Sequence, residues 1–467
     1  MDDSIASKLL GPQLAHAKTL LDSIYFNGFA ADLSETGCGK TYSACAIAKE
    51  LNVPIVVICP KVVIPTWKKV LTSFGIVPTL VINYEKICRG NTQWMTYDKN
   101  KYADKKNWES SGIDLHFPKN CLVIVDEVHK CKGHSSLNGD FLIACKNHGY
   151  KSLVMSATAA TNPIEMKAFG FLTNLHTGYN FTKFCQMSGV EFNKFGGMVI
   201  DLASDRAQQG MLAIHGHLFK LQSSASRMTT KMFDGIFPEN RIISELFDMG
   251  ANTPKIQKIY EQMEVELARL DERASNYSAH IFAVLMEARR KTELLKAPAM
   301  VEWVEDLFDE GISPVLFINF TDTLEYVKAK LESDKKFKEK IAVIRGGQGD
   351  KVREQDIDDF QSDKKRVMLA SISAGSTGVS LHDLNGNHPR HTLVNPSWSA
   401  INTLQAFGRC PRQGGKTTVI QKFMFAANTV EERISEKVNA RLQNLSALNN
   451  GDLNFGFSLT DIEVDTE

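Results

Sequence analysis

The sequence lacks the features that mark several classes of protein. It has no apolar run near the ~18–20 residues of a membrane span, and acidic residues follow Met1 where a secretory signal would carry basic ones. Its nine cysteines occur singly, without a C-x-x-C pair or a Cys–His pair at zinc-ligand spacing. These absences predict a soluble intracellular protein with reduced thiols, no structural metal and no membrane partner.

The formal net charge is zero, because 54 Lys and Arg residues balance 54 Asp and Glu residues. The balance is slightly uneven along the chain, with a mild basic excess in the first half and a mild acidic excess in the second. This pattern permits a basic face for nucleic acid without proving one. The length of 467 residues predicts two or three globular units with full-sized cores.

Short continuous apolar runs at 51–59 and 121–125 are typical of strands buried on both faces of a parallel sheet, and helical spacing between them predicts a doubly wound α/β fold. A second set of such runs follows a charged helical stretch at 254–296. The second-set strands are predicted at 314–320, 341–344, 367–371 and 392–395. Turn residues near 237–240 favour a join there, which gives domains 1–235 and 236–467, with a frayed acidic tail.

The stretch Ser34–Thr41 (SETGCGKT) follows an apolar segment and opens a helical one. Its glycines let successive backbone N–H groups face a phosphate, and Lys40 would reach the β- and γ-phosphates. Thr41 would bind Mg²⁺, and the helix N-terminus adds its dipole. Ser34 stands where the strict phosphate-loop pattern has its first glycine. The alternative for this segment is a chance glycine-rich turn.

A phosphate loop needs an acidic partner on a neighbouring strand. Asp126 and Glu127 supply it directly after the run at 121–125. Asp126 would hold Mg²⁺, and Glu127 would orient and deprotonate the attacking water. An acidic pair at this place could instead favour the start of a helix through its dipole. Together with Lys40, the pair predicts hydrolysis of a nucleoside triphosphate.

Near the other end of the chain, Ile401, Leu404 and Phe407 share one helical face, with Ser397 or Ser399 as a cap and Pro411 after the helix. Three further side chains are predicted to project from one end of this helix, namely Gln405, Arg409 and Arg412. An arginine against the γ-phosphate stabilises the charge of the transferring phosphoryl group. The alternative is a solvated basic helix end.

These motifs together resemble those of the superfamily 2 helicases and translocases. SETGCGKT, DEVH at 126–129 and SAT at 156–158 are similar to motifs I, II and III, and 373–381 and 405–412 are similar to motifs V and VI. Finer features resemble the Swi/Snf-type branch, especially compact members from large DNA viruses and phages. Gln13 stands where that branch has its adenine-reading glutamine, whereas SAT stands where the branch usually has TGT.

The resemblance implies two RecA-like domains in tandem that close on ATP and Mg²⁺ and grip one strand of nucleic acid. The implied catalytic residues are Lys40, Asp126, Glu127, Arg409 and Arg412. The implied nucleotide contacts are Gln13, Thr36, Gly37, Cys38, Gly39, Lys40, Thr41, His129, Gly378 and Gln405, of which His129 would contact motif VI. The implied metal ligands are Thr41 and Asp126.

The resemblance also suggests which residues follow the nucleic-acid strand. The phosphate-contact candidates are Lys61, Lys68, Asn83, Tyr84, Ser373 and Thr377. Trp67 and Trp398 could stack on bases or simply pack against the sheet, and Lys130 and Lys132 could contact phosphate or lie in a solvated turn.

The most favoured function is a monomeric ATPase that translocates on duplex DNA, with a strand-separating DNA or RNA helicase as the alternative. A nucleotide kinase would leave the second half unused, and an ATP-gated binding module would not need the acids and arginines. If the chain is viral, it would act in the virion or in the infected cell's cytoplasm or nucleus.

Overall fold

The computed structural model describes most of the chain, and the chain divides into two compact units. The described residues are 1–88, 92–98, 112–133, 136–194, 196–233, 235–270, 277–375, 378–395, 400–429 and 431–453. The first unit comprises Met1–Asp234 and Ala440–Phe455, and the second comprises Gly235–Asn439 and Gly456–Glu467. No helix among the described residues is both long enough and apolar enough to cross a bilayer.

The first unit is built on a six-stranded sheet in which every pairing is parallel. The strands of this unit are β1 (Phe29–Asp32), β2 (Ile55–Cys59), β3 (Leu80–Asn83), β4 (Met95–Tyr97), β5 (Ile113–Leu115), β6 (Leu122–Asp126), β7 (Lys151–Met155), β8 (Glu191–Phe192), β9 (Met198–Val199) and β10 (Ala225–Ser226). The sheet order is β10-β1-β7-β6-β2-β3, and the remaining strands form two small antiparallel hairpins, β4–β5 and β8–β9.

Helices cover both faces of this sheet and bury two apolar cores. They are α1 (Asp3–Ala6), α2 (Gly11–Asn27), α3 (Lys40–Leu51), α4 (Ile64–Ser73), α5 (Tyr84–Cys88), α6 (Leu137–Asn147), α7 (Lys167–Leu172), α8 (Phe181–Met187) and α9 (Asp205–His215). Every residue of β2 and β6 is buried, as the continuous apolar runs predicted. All nine cysteines are buried and free of disulfides, which agrees with the prediction of reduced, packed thiols.

The second unit repeats the design with another parallel six-stranded sheet, ordered β11-β16-β15-β12-β14-β13. Its strands are β11 (Asn240–Phe247), β12 (Ser313–Ile318), β13 (Ile341–Ile344), β14 (Val367–Ser371), β15 (Arg390–Val394) and β16 (Val419–Ala426). Its helices are α10 (Thr253–Ala268), α11 (Tyr277–Asp309), α12 (Thr321–Glu332), α13 (Asp350–Gln361), α14 (Ile372–Gly375) and α15 (Ala400–Phe407). The predicted fold class, two RecA-like α/β domains in tandem, is therefore confirmed.

The C-terminal part of the chain departs from the predicted boundary at 235/236. The last helix, α16 (Glu431–Asn450), begins in the second unit and ends in the first. Its final turns carry Ala447 and Leu448, which join the core cluster of the first unit beside Met211 and Ile214. Burial of this apolar face explains why residues 440–453 return to the first unit. The predicted acidic tail from 454 onward lies outside the described residues.

Candidate active site

The phosphate loop lies between β1 and α3 and curls as its glycines allow. Gly37 and Gly39 have φ angles of 90° and 84°, a left-handed conformation that favours glycine. Lys40 begins α3, and its Nζ donates hydrogen bonds to the carbonyl oxygens of Ser34 (2.9 Å) and Glu35 (3.1 Å). The loop carbonyls therefore hold the ammonium group at the loop, where an incoming phosphate would compete for it.

Gln13 is fixed against this loop by two hydrogen bonds. Its Oε1 accepts from the backbone N–H of Leu10 at 3.0 Å, and its Nε2 donates to the carbonyl oxygen of Cys38 at 3.0 Å. Only 4% of Gln13 is exposed. A Cβ at position 39 would come within 2.3 Å of Gln13 Nε2, so glycine at this position also makes room for the glutamine. Its adenine-reading role remains a prediction.

The other loop residues differ in their burial. Thr36, Gly37 and Thr41 are partly buried, with Thr41 in the first turn of α3. Cys38 is buried, and burial raises the pKa of its thiol to about 12. That thiol stays protonated near neutral pH, so Cys38 offers a ligand its backbone N–H group and not a thiolate.

Asp126 ends β6 and is buried, and the Trp67 indole and the Glu127 backbone donate hydrogen bonds to its carboxyl group. Trp67 Nε1 donates to Asp126 Oδ2 at 2.8 Å. Burial and then the neighbouring Glu127 raise the pKa of Asp126 to about 7, against the opposing effects of Trp67 and the Lys40 charge. The Asp126 carboxyl group is thus held in an environment that favours a proton or a cation.

Glu127 is tied to the SAT segment that follows β7. Ser156 Oγ donates to Glu127 Oε2 at 3.3 Å, and His129 Nδ1 lies 3.2 Å from both Glu127 Oε2 and Ser156 Oγ. Ser156 Oγ in turn accepts the backbone N–H of Thr158 at 3.1 Å. Glu127 has a φ of 59°, a conformation that costs a non-glycine residue roughly 1–3 kcal/mol, and these contacts hold it there. The predicted contact of His129 with motif VI stays a prediction.

The fit of this site to Mg²⁺ follows from its donors. The Asp126 carboxylate and the Thr41 hydroxyl are hard oxygen donors of the kind that Mg²⁺ binds. Among the described residues there is no cluster of three or more His, Cys, Asp or Glu that could hold a metal on its own. The two oxygen donors of Asp126 and Thr41 suit an ion that takes its remaining ligands from phosphate and water.

Sequence reasoning missed a second buried acid beside the loop. Asp32, the last residue of β1, lies 3.1 Å from His16 Nε2 and accepts the backbone N–H of Ser34 at 3.0 Å. Burial alone would raise the pKa of Asp32, but His16, Lys40 and Ser34 lower it on balance. An acid at the end of a buried strand next to the loop was the signal that could have found it.

The motif VI side chains differ from the prediction that all three project from the helix end. Gln405 is buried and Arg409 is 3% exposed. Arg409 Nε donates to the carbonyl oxygen of Gln405 at 2.8 Å, and its NH1 donates to that of Val379 at 3.3 Å. Arg412 is partly exposed, and its Nε donates to the carbonyl oxygen of Gly408 at 3.1 Å. Arg409 therefore braces motif VI against motif V, next to the exposed Gly378.

The nucleic-acid candidates divide into exposed and buried side chains. Lys61, Lys68 and Ser373 are exposed, whereas Trp67 and Tyr84 are buried. The phosphate contact predicted for Tyr84 is therefore corrected, and of the two alternatives for Trp67 the structure shows packing. Trp67 packs in the core and bonds Asp126, and the Tyr84 hydroxyl donates to the backbone carbonyl oxygen of Asp126 at 2.6 Å. Both side chains serve the acid strand instead of stacking on bases or contacting phosphate.

The remaining candidates are mixed. Asn83 is partly buried and its amide donates to Glu85 Oε2 at 2.5 Å. Lys132 pairs with Glu165 at 2.9 Å, and Lys130 is partly buried. Thr377 and Trp398 lie outside the described residues, as do the predicted helix caps Ser397 and Ser399.

Comparison with known proteins gives a family model that matches part of the chain and a similar viral protein. Residues 325–466 match a family model described as the C-terminal domain on Strawberry notch homologue. The chain is similar to a protein named as an ATP-dependent RNA helicase of Acanthamoeba polyphaga mimivirus, with 29% identity over 471 residues. That alignment covers 97% of this chain and 86% of the mimivirus protein.

Two solved structures resemble the chain. The Sulfolobus solfataricus SWI2/SNF2 ATPase core in complex with dsDNA is 14% identical, with a TM-score of 0.36, over 96% of this chain and 94% of its own. The S. cerevisiae Dbp5 bound to RNA and ADP BeF3 is 11% identical, with a TM-score of 0.46, over 99% of this chain and 94% of its own. At these values the likeness says nothing of this chain's substrate.

Proposed function

Because this chain belongs to the superfamily 2 helicases and translocases, we propose that it is a nucleic-acid-dependent ATPase that moves along duplex DNA. It is an ATP-hydrolysing enzyme of that superfamily. The observation that carries the proposal is the arrangement at one edge of the first sheet. The phosphate loop follows β1, the acids follow β6, and the SAT segment follows β7, which lies between those two strands. Ligands of parallel sheets bind at this edge.

We propose the following roles for the groups at this edge. Lys40 leaves the loop carbonyls to clamp the β- and γ-phosphates, while Gln13 orients the base. Thr41 and Asp126 hold Mg²⁺, which supplies charge neutralisation on the phosphates. Glu127 orients the attacking water and accepts its proton. Ser156 and His129 keep the Glu127 carboxylate in place. The SAT segment would therefore respond when Glu127 accepts the proton of the attacking water.

The second unit is proposed to complete the site when the two units close on ATP. Arg412 and Arg409 would stabilise the transferring phosphoryl group, with Gln405 and Gly378 beside it. Arg409 is already braced by backbone carbonyls, which would fix the position of its guanidinium at little entropic cost. Hydrolysis would reopen the units, and alternating grip would move a monomer along the strand.

Phosphate contacts are proposed for exposed or partly buried groups near the carboxyl ends of strands in both units. Lys61 and Lys68 follow β2, Asn83 ends β3, and Ser373 follows β14. Contacts of this kind bind the backbone of nucleic acid and do not read its sequence. The proposal favours DNA over RNA, and affinity should fall steeply with salt because bound phosphates release counterions.

The test is the ATPase rate with no nucleic acid and with single- and double-stranded DNA and RNA at matched salt. Duplex DNA should stimulate turnover most, and Lys40→Ala should abolish turnover with every effector. Displacement of a third strand from a DNA triplex should require ATP. Equal rates with and without nucleic acid would contradict the proposal, as would near-normal hydrolysis by folded Lys40→Ala.

The second candidate function is strand separation on RNA or DNA. It is favoured by the mimivirus relative, which is named as an RNA helicase. This candidate predicts ATP-dependent release of a labelled strand from a duplex and greater stimulation by RNA than by DNA. Release of the labelled strand without triplex displacement would favour it over translocation.

A further inference from the structure

The last stretch of the first unit before the chain passes to the second runs alongside the phosphate loop. We name it the exit segment, residues 224–230. Its backbone continues the β10–β1 pairing into the loop through the pairs Ala31 N to Ser224 O (2.8 Å), Leu33 N to Ser226 O (2.9 Å), Glu35 N to Met228 O (2.9 Å) and Met228 N to Ser34 Oγ (2.9 Å). The first half of the loop is therefore held by the exit segment on one side.

Arg227 in this segment uses each of its nitrogens on a different partner. Its NH1 donates to the carbonyl oxygen of Leu33 (2.5 Å), and its NH2 donates to Glu35 Oε1 (3.2 Å). Its Nε donates to the side-chain oxygen of Asn450 at 2.9 Å. The side chain of Arg227 is 11% exposed, so these bonds act in a medium that screens them little.

Glu35, the loop partner of Arg227, is held by the exit segment a second time. Its Oε2 accepts the backbone N–H of Thr230 (2.8 Å) and the Thr230 hydroxyl (3.1 Å). The Glu35 carbonyl oxygen also accepts from Lys40 Nζ. A phosphate that draws Lys40 away from this carbonyl therefore acts on the same residue that Arg227 grips.

Asn450 connects Arg227 to the other chain passage between the units. It ends α16, the helix that begins in the second unit and returns to the first. Its neighbour Asn449 donates to the carbonyl oxygen of Ala157 in the SAT segment at 2.9 Å. After the exit segment the chain passes to the second unit at Asp234/Gly235, and α16 passes back at Asn439/Ala440. The Arg227–Asn450 bond thus joins the segment that precedes the first passage to the helix end that follows the second, beside the phosphate loop.

We propose that Arg227 is a positioning residue that couples the state of the phosphate loop to both chain passages between the units. When a phosphate draws Lys40 Nζ away from the Glu35 carbonyl oxygen, the phosphate loop and the exit segment shift together. The Arg227–Asn450 hydrogen bond transmits this shift to α16. This inference rests on the proposed function, because it concerns how that ATPase converts hydrolysis into movement. Arg227 touches neither substrate nor reacting atoms in this role.

The test uses the full chain with Asn450→Ala, which removes the bond from Arg227 to α16 together with the Asn450–Ser446 bond inside that helix. Nucleotide affinity, measured with a fluorescent ATP analogue, and unstimulated turnover should stay within about twofold of the unaltered protein. Stimulated turnover and triplex displacement should fall about 5- to 150-fold, the usual range of coupling between sites. Asn450→Asp keeps the acceptor and should restore both.

Gln443→Ala is the matched control, because Gln443 lies on the same helix and bonds Gln208 instead of Arg227. It should leave every readout unchanged. Arg227→Lys, which keeps the charge but loses the three-way bonding, should lose stimulation as Asn450→Ala does, with a thermal melt to confirm folding. Full stimulation in folded Asn450→Ala, or an equal loss in Gln443→Ala, would overturn the proposal. Failure of the ATPase assignment itself would show separately, as turnover retained by Lys40→Ala.

Discussion

The carboxyl edges of the two sheets carry buried acids in opposite circumstances. In the first unit, burial and Glu127 raise the pKa of Asp126 to about 7. In the second unit, Glu431 lies 3.0 Å from Lys296 Nζ and accepts the Tyr260 hydroxyl at 3.2 Å. Two neighbouring acids that repel each other, such as Asp126 and Glu127, favour the binding of a cation. Glu431 already has the ammonium group of Lys296 as its cation.

Glu293 extends the second pattern. It lies on α11 and accepts the backbone N–H groups of Asn319 (3.1 Å) and Phe320 (2.9 Å), which precede α12. Burial raises the pKa of Glu293, and the Asn319 donors and Lys296 oppose that rise. The edge of the second sheet thus combines a buried ion pair with hydrogen bonds from the loop before α12, while the edge of the first sheet places two acids side by side.

The largest effect is expected from Glu127→Gln, which tests the role of the acids at the edge of the first sheet. If the acids of the first edge serve chemistry, turnover should fall about 10²–10⁴-fold, the usual contribution of a general base, while ATP still binds. The free energy of unfolding should not fall, because a like charge beside Asp126 is removed. Steady-state hydrolysis, nucleotide titration and urea unfolding measure the three quantities. Normal hydrolysis by the folded variant would assign the chemistry elsewhere.

Lys296→Met tests the second edge. It should destabilise the protein by about 3–5 kcal/mol, because Glu431 is left buried without its cation. The matched surface change is Lys336→Met, which breaks the solvent-exposed pair with Asp309 (2.9 Å) and should cost far less stability than Lys296→Met, because water screens the pair.

Lys296→Met combined with Glu431→Leu should recover much of the lost stability. Chemical unfolding of all three proteins gives the result. Equal costs for Lys296→Met and Lys336→Met would show that the buried pair does no more for stability than the exposed one.

A smaller effect is expected from Asp126→Asn. A carboxyl group whose pKa rises from 3.8 to about 7 on folding opposes folding once the pH exceeds 3.8, and the penalty is complete above about pH 7. The asparagine variant should therefore be roughly 1–4 kcal/mol more stable than the unaltered protein at pH 8. That advantage should shrink as the pH falls towards 4. Unfolding curves at pH 4, 6 and 8 test it, and an advantage independent of pH would rule out this origin.

The smallest effect concerns Trp67→Phe. Loss of the indole donor should raise the pKa of Asp126 further, by about one unit or less, since a hydrogen bond to the charged form is removed. The pH at which Mg²⁺-dependent nucleotide binding is half complete should move upward accordingly. Trp94→Phe, at a partly buried tryptophan elsewhere in the same unit, serves as the control. An unchanged midpoint would mean that Trp67 only fills space.

The fold and the chemical groups could be predicted because their signals are local. The sequence of a buried strand is a continuous run of apolar residues, and the glycines before Lys40 allow the left-handed backbone conformation of the phosphate loop. The partners that fix those groups could not be predicted. Arg227 meets Glu35 across almost two hundred residues of chain, and nothing in the periodicity around either residue encodes the pairing.

Trp67 and Tyr84 show a related limit. On sequence grounds Trp67 could stack on bases or pack against the sheet, and Tyr84 is a candidate for phosphate contact. The structure assigns both to the core because their polar atoms find Asp126, a partner that only the sheet order brings near. The place of residues 440–453 could not be predicted either, because they follow the second unit in the chain and only the fold brings them to the first.

The return of residues 440–453 to the first unit has a consequence for how the protein is made. Ala447 and Leu448 are fully buried in the core of the first unit, yet they follow the whole second unit in the chain. A ribosome adding roughly 5–20 residues per second needs about 10–40 s to travel from the end of the exit segment to this helix. Throughout that interval the nascent first unit lacks two buried members of its core, Ala447 and Leu448.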